Sequence, residues 1–334
     1  MKAIVLREYG NADNFELTNL PIPTIPKGQV RIKIKAVSFN PVDYQIRKGL
    51  AEGKFVRSNI LGRDLSGIVD EVADDVYQFK KADEVYSYVC NLASSGTYTE
   101  YICVPAELVA KKPVSLTHEQ AAALPVAGIT AWLALSKVKA TNSKSIFIAG
   151  GAGGVGSFAI MFAKHFGIEK IITTAGNEKS LNYLVQGLGL KKEQIVNYKD
   201  DDFIEQAIKI NGGYFDMTLD LVGGKMLSAC CALLAIDGNF ASVTDPPCKA
   251  DFEILFQKNG SFHSIGANAY SLTDDRKYWK NYQRVLDQIA ALFDSNKVTK
   301  PPITVVGSLS VATVKKAHEM LEANSTQGKL IMTC

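Results

Sequence analysis

The sequence predicts an α/β protein of two domains, one rich in β-strands and one built on a doubly wound parallel sheet. Three observations carry that expectation. The chain has 334 residues, more than a single hydrophobic core usually serves. Its first 110 residues are short runs of β-formers separated by turn residues, the pattern of a strand-rich domain. From about residue 145 strands and helices alternate, as a parallel sheet with crossover helices requires. That alternation opens on the apolar strand Ile146-Phe147-Ile148-Ala149, a turn of five glycines from Gly150 to Gly156, and a helix with Phe158, Met161 and Phe162 at helical spacing.

In the first domain, residues 3–7, 29–36, 67–72, 84–88 and 99–104 read as strands, and Pro21, Pro23 and Pro26 punctuate the first loop. Asn40-Pro41-Val42-Asp43-Tyr44-Gln45-Ile46-Arg47 reads as a capped helix, with Asn40 or Asp43 as N-cap. Residues 118–137 are helical with a break at Pro125, and Lys144 opens the second domain. There the predicted strands are 146–149, 171–174, 194–197, 215–219, 240–243 and 262–265, with helices over 179–188, 203–210 and 225–234. Six strands complete a doubly wound sheet. An amphipathic helix over 278–294 and a β-α-β patch over 303–332 then return to the first domain. The expected division is therefore 1–121 with 267–334, and 122–266.

The formal charge of +3 comes from 37 basic and 34 acidic residues mixed along the chain, so no electrostatic footprint for nucleic acid is present. Lys33-Ile34-Lys35 places both lysines on one solvated strand face. The apolar run of Met1-Lys2-Ala3-Ile4-Val5-Leu6 is too short for a signal peptide or a membrane span, and a cytoplasmic location is expected. Cys90, Cys103, Cys230, Cys231, Cys248 and Cys334 form no C-x-x-C pair and read as reduced packing residues. His118, His165, His263 and His318 are too scattered for a metal box.

Within the glycine turn, Gly151, Gly153 and Gly156 make G-x-G-x-x-G between a strand and a helix. With no Cβ in the way, the backbone approaches a pyrophosphate closely, and the helix start aims the amides of Gly154 and Val155 at it. The competing reading is a merely structural glycine loop. An NAD-preferring pattern ends its second strand on an acidic residue, but this chain has Thr173-Thr174-Ala175-Gly176-Asn177-Glu178-Lys179 there. The strand end is small and neutral, so a 2′-phosphate meets no direct repulsion, and Asn177 and Lys179 are placed to engage it. NADPH is the expected cofactor. Glu178 opposes this, and Lys179 is alternatively a solvated helix residue.

The domain order, with Asn40-Pro41-Val42-Asp43, Gly62-Arg63-Asp64-Leu65-Ser66-Gly67, Gly96-Thr97-Tyr98-Thr99-Glu100-Tyr101, Ala127-Gly128-Ile129-Thr130-Ala131-Trp132, Asp220-Leu221-Val222-Gly223-Gly224 and the glycine turn, resembles the medium-chain dehydrogenase/reductase superfamily over essentially the whole chain. The motifs look like its zinc-independent quinone oxidoreductase branch, which includes ζ-crystallin-like proteins and enone reductases. The resemblance implies a GroES-like catalytic domain, a Rossmann domain, and NADPH-dependent hydride transfer to a quinone or an α,β-unsaturated carbonyl. It places Asn40 at the nicotinamide pocket, Thr130 near the ring, Tyr198 at the adenosine end, and Asn268 and Lys329 close to the cofactor. Gly176, Val222, Ser242 and Thr244 complete the expected contacts. Tyr44 is the candidate proton donor, although relatives carry their tyrosine one residue later, where Gln45 stands; solvent is the alternative, and Asn40 is alternatively only a helix cap. Tyr198 has the alternative of a strand-end aromatic.

Zinc-dependent relatives place a Cys where Asn40 stands, His-Glu where Arg63-Asp64 stands, and four cysteines near 85–105, where only Cys90 and Cys103 occur. Asn is a poor zinc ligand and Arg is none, so no metal is expected, and Asp64 is expected to pair with Arg63 or Arg47. Family members form homodimers through the Rossmann domain, and Phe240-Ala241-Ser242-Val243 suits an extended sheet. The loops 49–59 and 270–278 would set the substrate. The competing functions are a trans-2-enoyl thioester reductase and a ζ-crystallin-like binding protein with vestigial catalysis.

Overall fold

The computed structural model describes residues 1–50, 58–90, 92–140, 145–244 and 246–334; Lys144 and most of the expected substrate loop 49–59 lie outside the described residues. The chain forms two compact units, residues 1–129 with 268–334, and residues 130–267.

In chain order, the described elements begin with β1 (Lys2–Leu6), β2 (Phe15–Asn19), β3 (Gln29–Ser38), α1 (Pro41–Arg47), β4 (Asp64–Val72), β5 (Glu84–Tyr88), β6 (Tyr101–Pro105), β7 (Val109–Lys111), α2 (His118–Ala122) and α3 (Pro125–Lys137). There follow β8 (Ser145–Ala149), α4 (Gly154–His165), β9 (Lys170–Ala175), α5 (Glu178–Asn182), β10 (Ile195–Asn197), α6 (Phe203–Asn211), β11 (Phe215–Asp220), α7 (Lys225–Leu233), β12 (Leu234–Ser242), α8 (Lys249–Gln257) and β13 (Ser261–Ser264). The last are α9 (Arg276–Asp294), β14 (Ile303–Ser308), α10 (Val311–Glu322) and β15 (Lys329–Thr333).

In the first unit β1 and β2 form a hairpin, and a larger sheet runs β14-β15-β3-β4-β5-β7 with β6 also paired to β3. β3 is the organiser of that sheet. Its alternating Val30, Ile32, Ile34 and Ala36 are fully buried while Lys33 is exposed, the period of a strand with one apolar face. The C-terminal strand β15 lies antiparallel to the end of β3, with Ile331 opposite Ser38. Ser38 is in turn opposite Asp64, the first residue of β4. Three strand ends thus bring residues 38, 64 and 329 to one place.

In the second unit six parallel strands run β10-β9-β8-β11-β12-β13, a doubly wound order that reverses between β8 and β11, where such sheets bind ligands at their carboxyl ends. β8 is buried at all five positions, as a strand covered by helices on both faces must be. Phe147, Phe215, Phe240, Leu227, Leu233 and Leu255 share one core.

Several expectations change. β2 buries only Phe15, so it offers no alternation to read. The helix over 179–188 is α-helical only to Asn182 and continues as a π-turn, Tyr183–Gly187. β12 begins at Leu234, opposite Phe215, ahead of a register shift. The segment 240–243 falls in or just beyond β12, which lies between β11 and β13, so it is not a sheet edge; the edges are β10 and β13. Among the described residues no helix is long and apolar enough to cross a membrane.

Candidate active site

The glycine turn separates two jobs that glycine does. A Cβ on Gly151 would fall 2.1 Å from Thr173 Oγ1, and one on Gly156 would fall 2.2 Å from the Gly150 carbonyl oxygen. Packing of α4 against β8 and β9 therefore demands glycine at both. Gly153, the N-cap of α4, has ordinary extended torsions (φ −77°, ψ 174°), and its Cβ would meet only the Gly150 oxygen, at 3.4 Å. Among the described residues nothing requires glycine there. The cradle that a Cβ would fill lies in front of the first turn of α4, whose amides at Gly154, Val155 and Gly156 have no intrahelical acceptor. That arrangement fits a pyrophosphate.

The turn is tied down by the second strand. Thr173 Oγ1 donates to the Ile148 carbonyl at 2.6 Å and accepts from the Gly151 amide at 3.1 Å, while Thr174 Oγ1 accepts from the Gly150 amide at 3.0 Å. Past the end of β9, Gly176 lies under the Tyr198 ring, which a Cβ would meet at 2.4 Å. Tyr198 itself is 45% exposed. Asn177 caps α5, its Oδ1 accepting from the Ser180 amide and hydroxyl at 2.9 and 3.1 Å. Lys179, the second residue of α5, is exposed.

Val222, Ser242 and Thr244 are drawn together by Asp220, the last residue of β11. Its fully buried carboxylate accepts from the amides of Val222 (3.0 Å) and Gly223 (2.8 Å) at Oδ1, and from the hydroxyls of Ser242 (2.9 Å) and Thr244 (2.7 Å) at Oδ2. Sequence reasoning quoted Asp220 only as part of a motif. An Asp ending an apolar strand just before two glycines is a turn-fixing signal that would have found it.

In the first unit Asn40 is the N-cap of α1, and its amide N–H donates to Asp43 at 2.8 Å. Its side chain has another task. Nδ2 donates to Asp64 Oδ2 at 2.8 Å, and Oδ1 accepts from the Lys329 ammonium at 2.6 Å. Lys329, 4% exposed, also donates to the Phe39 carbonyl at 3.0 Å and reaches Asp64 Oδ2 at 3.3 Å. Asp64 further accepts from Ser38 Oγ at 2.6 Å and from the Val126 amide at 2.8 Å. The expected pairing of Asp64 with Arg47 is thus corrected, and the basic group against it is Lys329. Strand registry puts Lys329 beside Asp64, whereas Arg47, at the far end of α1, pairs with Glu322 of α10.

Burial pushes the Asp43 carboxyl up to about 6, partly offset by the hydrogen bond from the Asn40 amide and by Arg63, itself a buried cation. Behind it the Tyr98 hydroxyl lies 3.1 Å from His318 Nε2, and burial lowers His318 to about 3. Tyr44 is half-buried, with the Lys48 ammonium 5.7 Å from its ring centre, and is not among the groups bonded to Asp64. Thr130 is buried in α3. The Asn268 carbonyl accepts from the Ser271 amide and hydroxyl at 2.9 and 2.7 Å.

Among the described residues no group of three or more His, Cys, Asp and Glu is arranged to hold a metal ion. The cation beside Asn40 is the Lys329 ammonium.

Residues 26–114 match the alcohol dehydrogenase GroES-like domain family and residues 190–332 the zinc-binding dehydrogenase family. An NADPH-dependent alkenal/one oxidoreductase of Arabidopsis thaliana, described as chloroplastic, is 30% identical, over 99% of this chain and 79% of the relative. A 2-methylene-furan-3-one reductase of Solanum lycopersicum is 31% identical over the same shares. Among solved structures, the quinone oxidoreductase from Coxiella burnetii is 28% identical with a TM-score of 0.82, covering 100% of this chain and 99% of that one. A dinucleotide-type sheet joined in one chain to a GroES-like unit is the architecture of nicotinamide-dependent oxidoreductases. The chain belongs to the medium-chain dehydrogenase/reductase superfamily.

Proposed function

We propose that this chain transfers hydride from NADPH to a quinone or an α,β-unsaturated ketone or aldehyde, with the second unit binding the dinucleotide and the first supplying the catalytic groups. It is an NADPH-dependent oxidoreductase. The observation that carries the reading is Gly153, a glycine that the fold does not need, at the mouth of a helix with free amides.

Gly151, Gly153, Gly154, Val155 and Gly156 hold the pyrophosphate, while Gly176, Tyr198, Val222, Ser242 and Thr244 line the adenosine and ribose positions. Asn177 and Lys179 engage the 2′-phosphate, and Thr130 and Asn268 serve the nicotinamide end. NADPH, when bound, supplies a hydride, one hydrogen nucleus with two electrons, to the electron-poor carbon of the acceptor. The protein positions the acceptor, and Asn40 offers a hydrogen bond to the oxygen on which the negative charge develops. A proton from solvent, or from Tyr44, completes the reduction to a saturated carbonyl compound or a hydroquinone. The proposal includes a cytoplasmic location and a homodimer joined edge to edge at β13, one of the two edges of the six-stranded sheet.

The test is titration with NADPH and NADH, followed by nicotinamide fluorescence, on the wild type and on Lys179→Ala. NADPH is expected to bind at least about tenfold more tightly, and the substitution to remove about 1.4 kcal/mol of that preference. Equal binding of the two cofactors by the wild type would refute the reading of the second-strand end.

A further inference from the structure

We propose that Lys329 and Asp64 are positioning residues for Asn40, locking its amide so that a single polarised N–H is presented to the carbonyl oxygen of the acceptor. This rests on the reductase reading of the same site.

An ammonium has three N–H donors, and those of Lys329 reach the Phe39 carbonyl (3.0 Å), Asn40 Oδ1 (2.6 Å) and Asp64 Oδ2 (3.3 Å). None remains for a phosphate or ribose, so on this proposal Lys329 serves the cofactor pocket through Asn40 and not by the direct contact expected of it. Its charge is spent inside the first unit, on the residue placed at the nicotinamide pocket. The Asn40 amide has one oxygen and two N–H groups. Its oxygen faces an ammonium, and one N–H faces a carboxylate at 2.8 Å. Turning the amide over would set its NH2 against the ammonium and its oxygen against the carboxylate, so only one orientation is stable.

Two consequences follow. Among the described residues one N–H of Asn40 has no acceptor, and its direction is fixed by the other two contacts. That N–H is also a stronger donor than in a free amide, because an ammonium on the oxygen withdraws electron density and hydrogen bonds in a chain polarise one another. Asp64 is held in its turn by Ser38 and Val126, so four donors occupy its oxygens and it does not serve as a base. A preorganised donor aimed at a developing oxyanion is among the most effective catalytic devices in a site that excludes water. In this chain it takes the place where zinc-dependent relatives carry a metal-ligating cysteine.

The experiment is a mutant cycle on the full chain. Asn40→Ala removes the donor. Lys329→Met with Asp64→Asn removes the positioning pair together, so that no unpaired charge is left buried. The triple variant combines them. Each is assayed for kcat with NADPH and one conjugated acceptor, for NADPH affinity by fluorescence, and for thermal melting. The pair variant is expected to lower kcat about 30-fold or more, as loss of an aligned donor does, with NADPH affinity changed less than about threefold on the scale where tenfold is decisive. The triple variant is expected to match Asn40→Ala within about twofold, because groups that act as a unit are non-additive.

If the pair variant does not fold, the cycle is run with Lys329→Arg, whose larger planar fork keeps the charge but lays its donors in one plane, where an ammonium radiates three from a single atom. The same non-additivity is expected. Multiplicative losses of kcat would overturn the proposal as a merely structural ion pair. So would a tenfold loss of NADPH affinity with kcat preserved, which would return Lys329 to the cofactor. A wild type that turns over no conjugated acceptor would refute the reductase reading and this proposal with it, an outcome distinct from an active wild type with additive variants.

Discussion

Gly153→Val is expected to fold and to bind NADPH at least about 100-fold more weakly, a loss of about 2.7 kcal/mol. The torsions at Gly153 are open to any residue, and its Cβ would touch only the Gly150 oxygen at the edge of ordinary contact. Valine is a poorer N-cap than glycine, which costs about 1 kcal/mol, a few degrees of melting temperature in a unit of this size. The branched side chain, however, fills the space in which a pyrophosphate must sit to reach the amides of Gly154 and Val155. Gly156→Ala is the control with the opposite signature. Its methyl would lie 2.2 Å from the Gly150 oxygen and 2.6 Å from Gly151 Cα, so the backbone itself must move, at about 3 kcal/mol or more of stability. Fluorescence titration and thermal melting of the two variants separate ligand space from packing. Wild-type NADPH affinity in Gly153→Val would remove the cradle from the account.

Asp220→Ala is expected to lower the stability of the second unit by about 3 kcal/mol and its melting temperature by about 10 °C. Four donors converge on this buried carboxylate, and alanine leaves the buried Ser242 hydroxyl and the half-buried Thr244 hydroxyl with no charged acceptor. NADPH affinity should fall as well, since Val222, Ser242 and Thr244 lose their common anchor at the carboxyl ends of β11 and β12. Asp220→Asn keeps the shape and one acceptor oxygen, and roughly half of the loss is expected because hydroxyls can reorient toward an amide. Differential scanning calorimetry measures both. A melting point for Asp220→Ala within the scatter of the wild type would mean that the network carries no stability.

How much of this was legible in the sequence depended on the distance over which each signal acts. The glycine turn, the capped helix at Asn40, the break at Pro125 and the alternation after Ser145 are all set by neighbours within a few residues, and the chain folds there as read. β2 and β7 were missed because a single buried phenylalanine and a three-residue strand carry no period. α8 was missed because its apolar residues are partly exposed, Phe256 at 89%. The candidate site was half visible. The residues proposed to hold the pyrophosphate lie close together in the chain, and their spacing is the signal. Asp64 and Lys329, by contrast, are 265 residues apart, and only the antiparallel register of β15 on β3 brings them together. No local pattern foretells that pair, and Arg47, nearer in the chain, pairs instead with Glu322. The roles of Thr173 and Thr174 were also out of reach, since both were read as the neutral end of a strand while their hydroxyls hold the neighbouring turn.

The most direct test of the whole account is the steady-state oxidation of NADPH, followed by absorbance, with a panel of quinones, α,β-unsaturated ketones and aldehydes, and their saturated counterparts. Reduction of at least one conjugated acceptor, with kcat/KM at least about tenfold higher for NADPH than for NADH and no turnover of the saturated compounds, is the predicted result. Turnover confined to saturated carbonyls or alcohols, or none at all in a protein that binds NADPH, would contradict it.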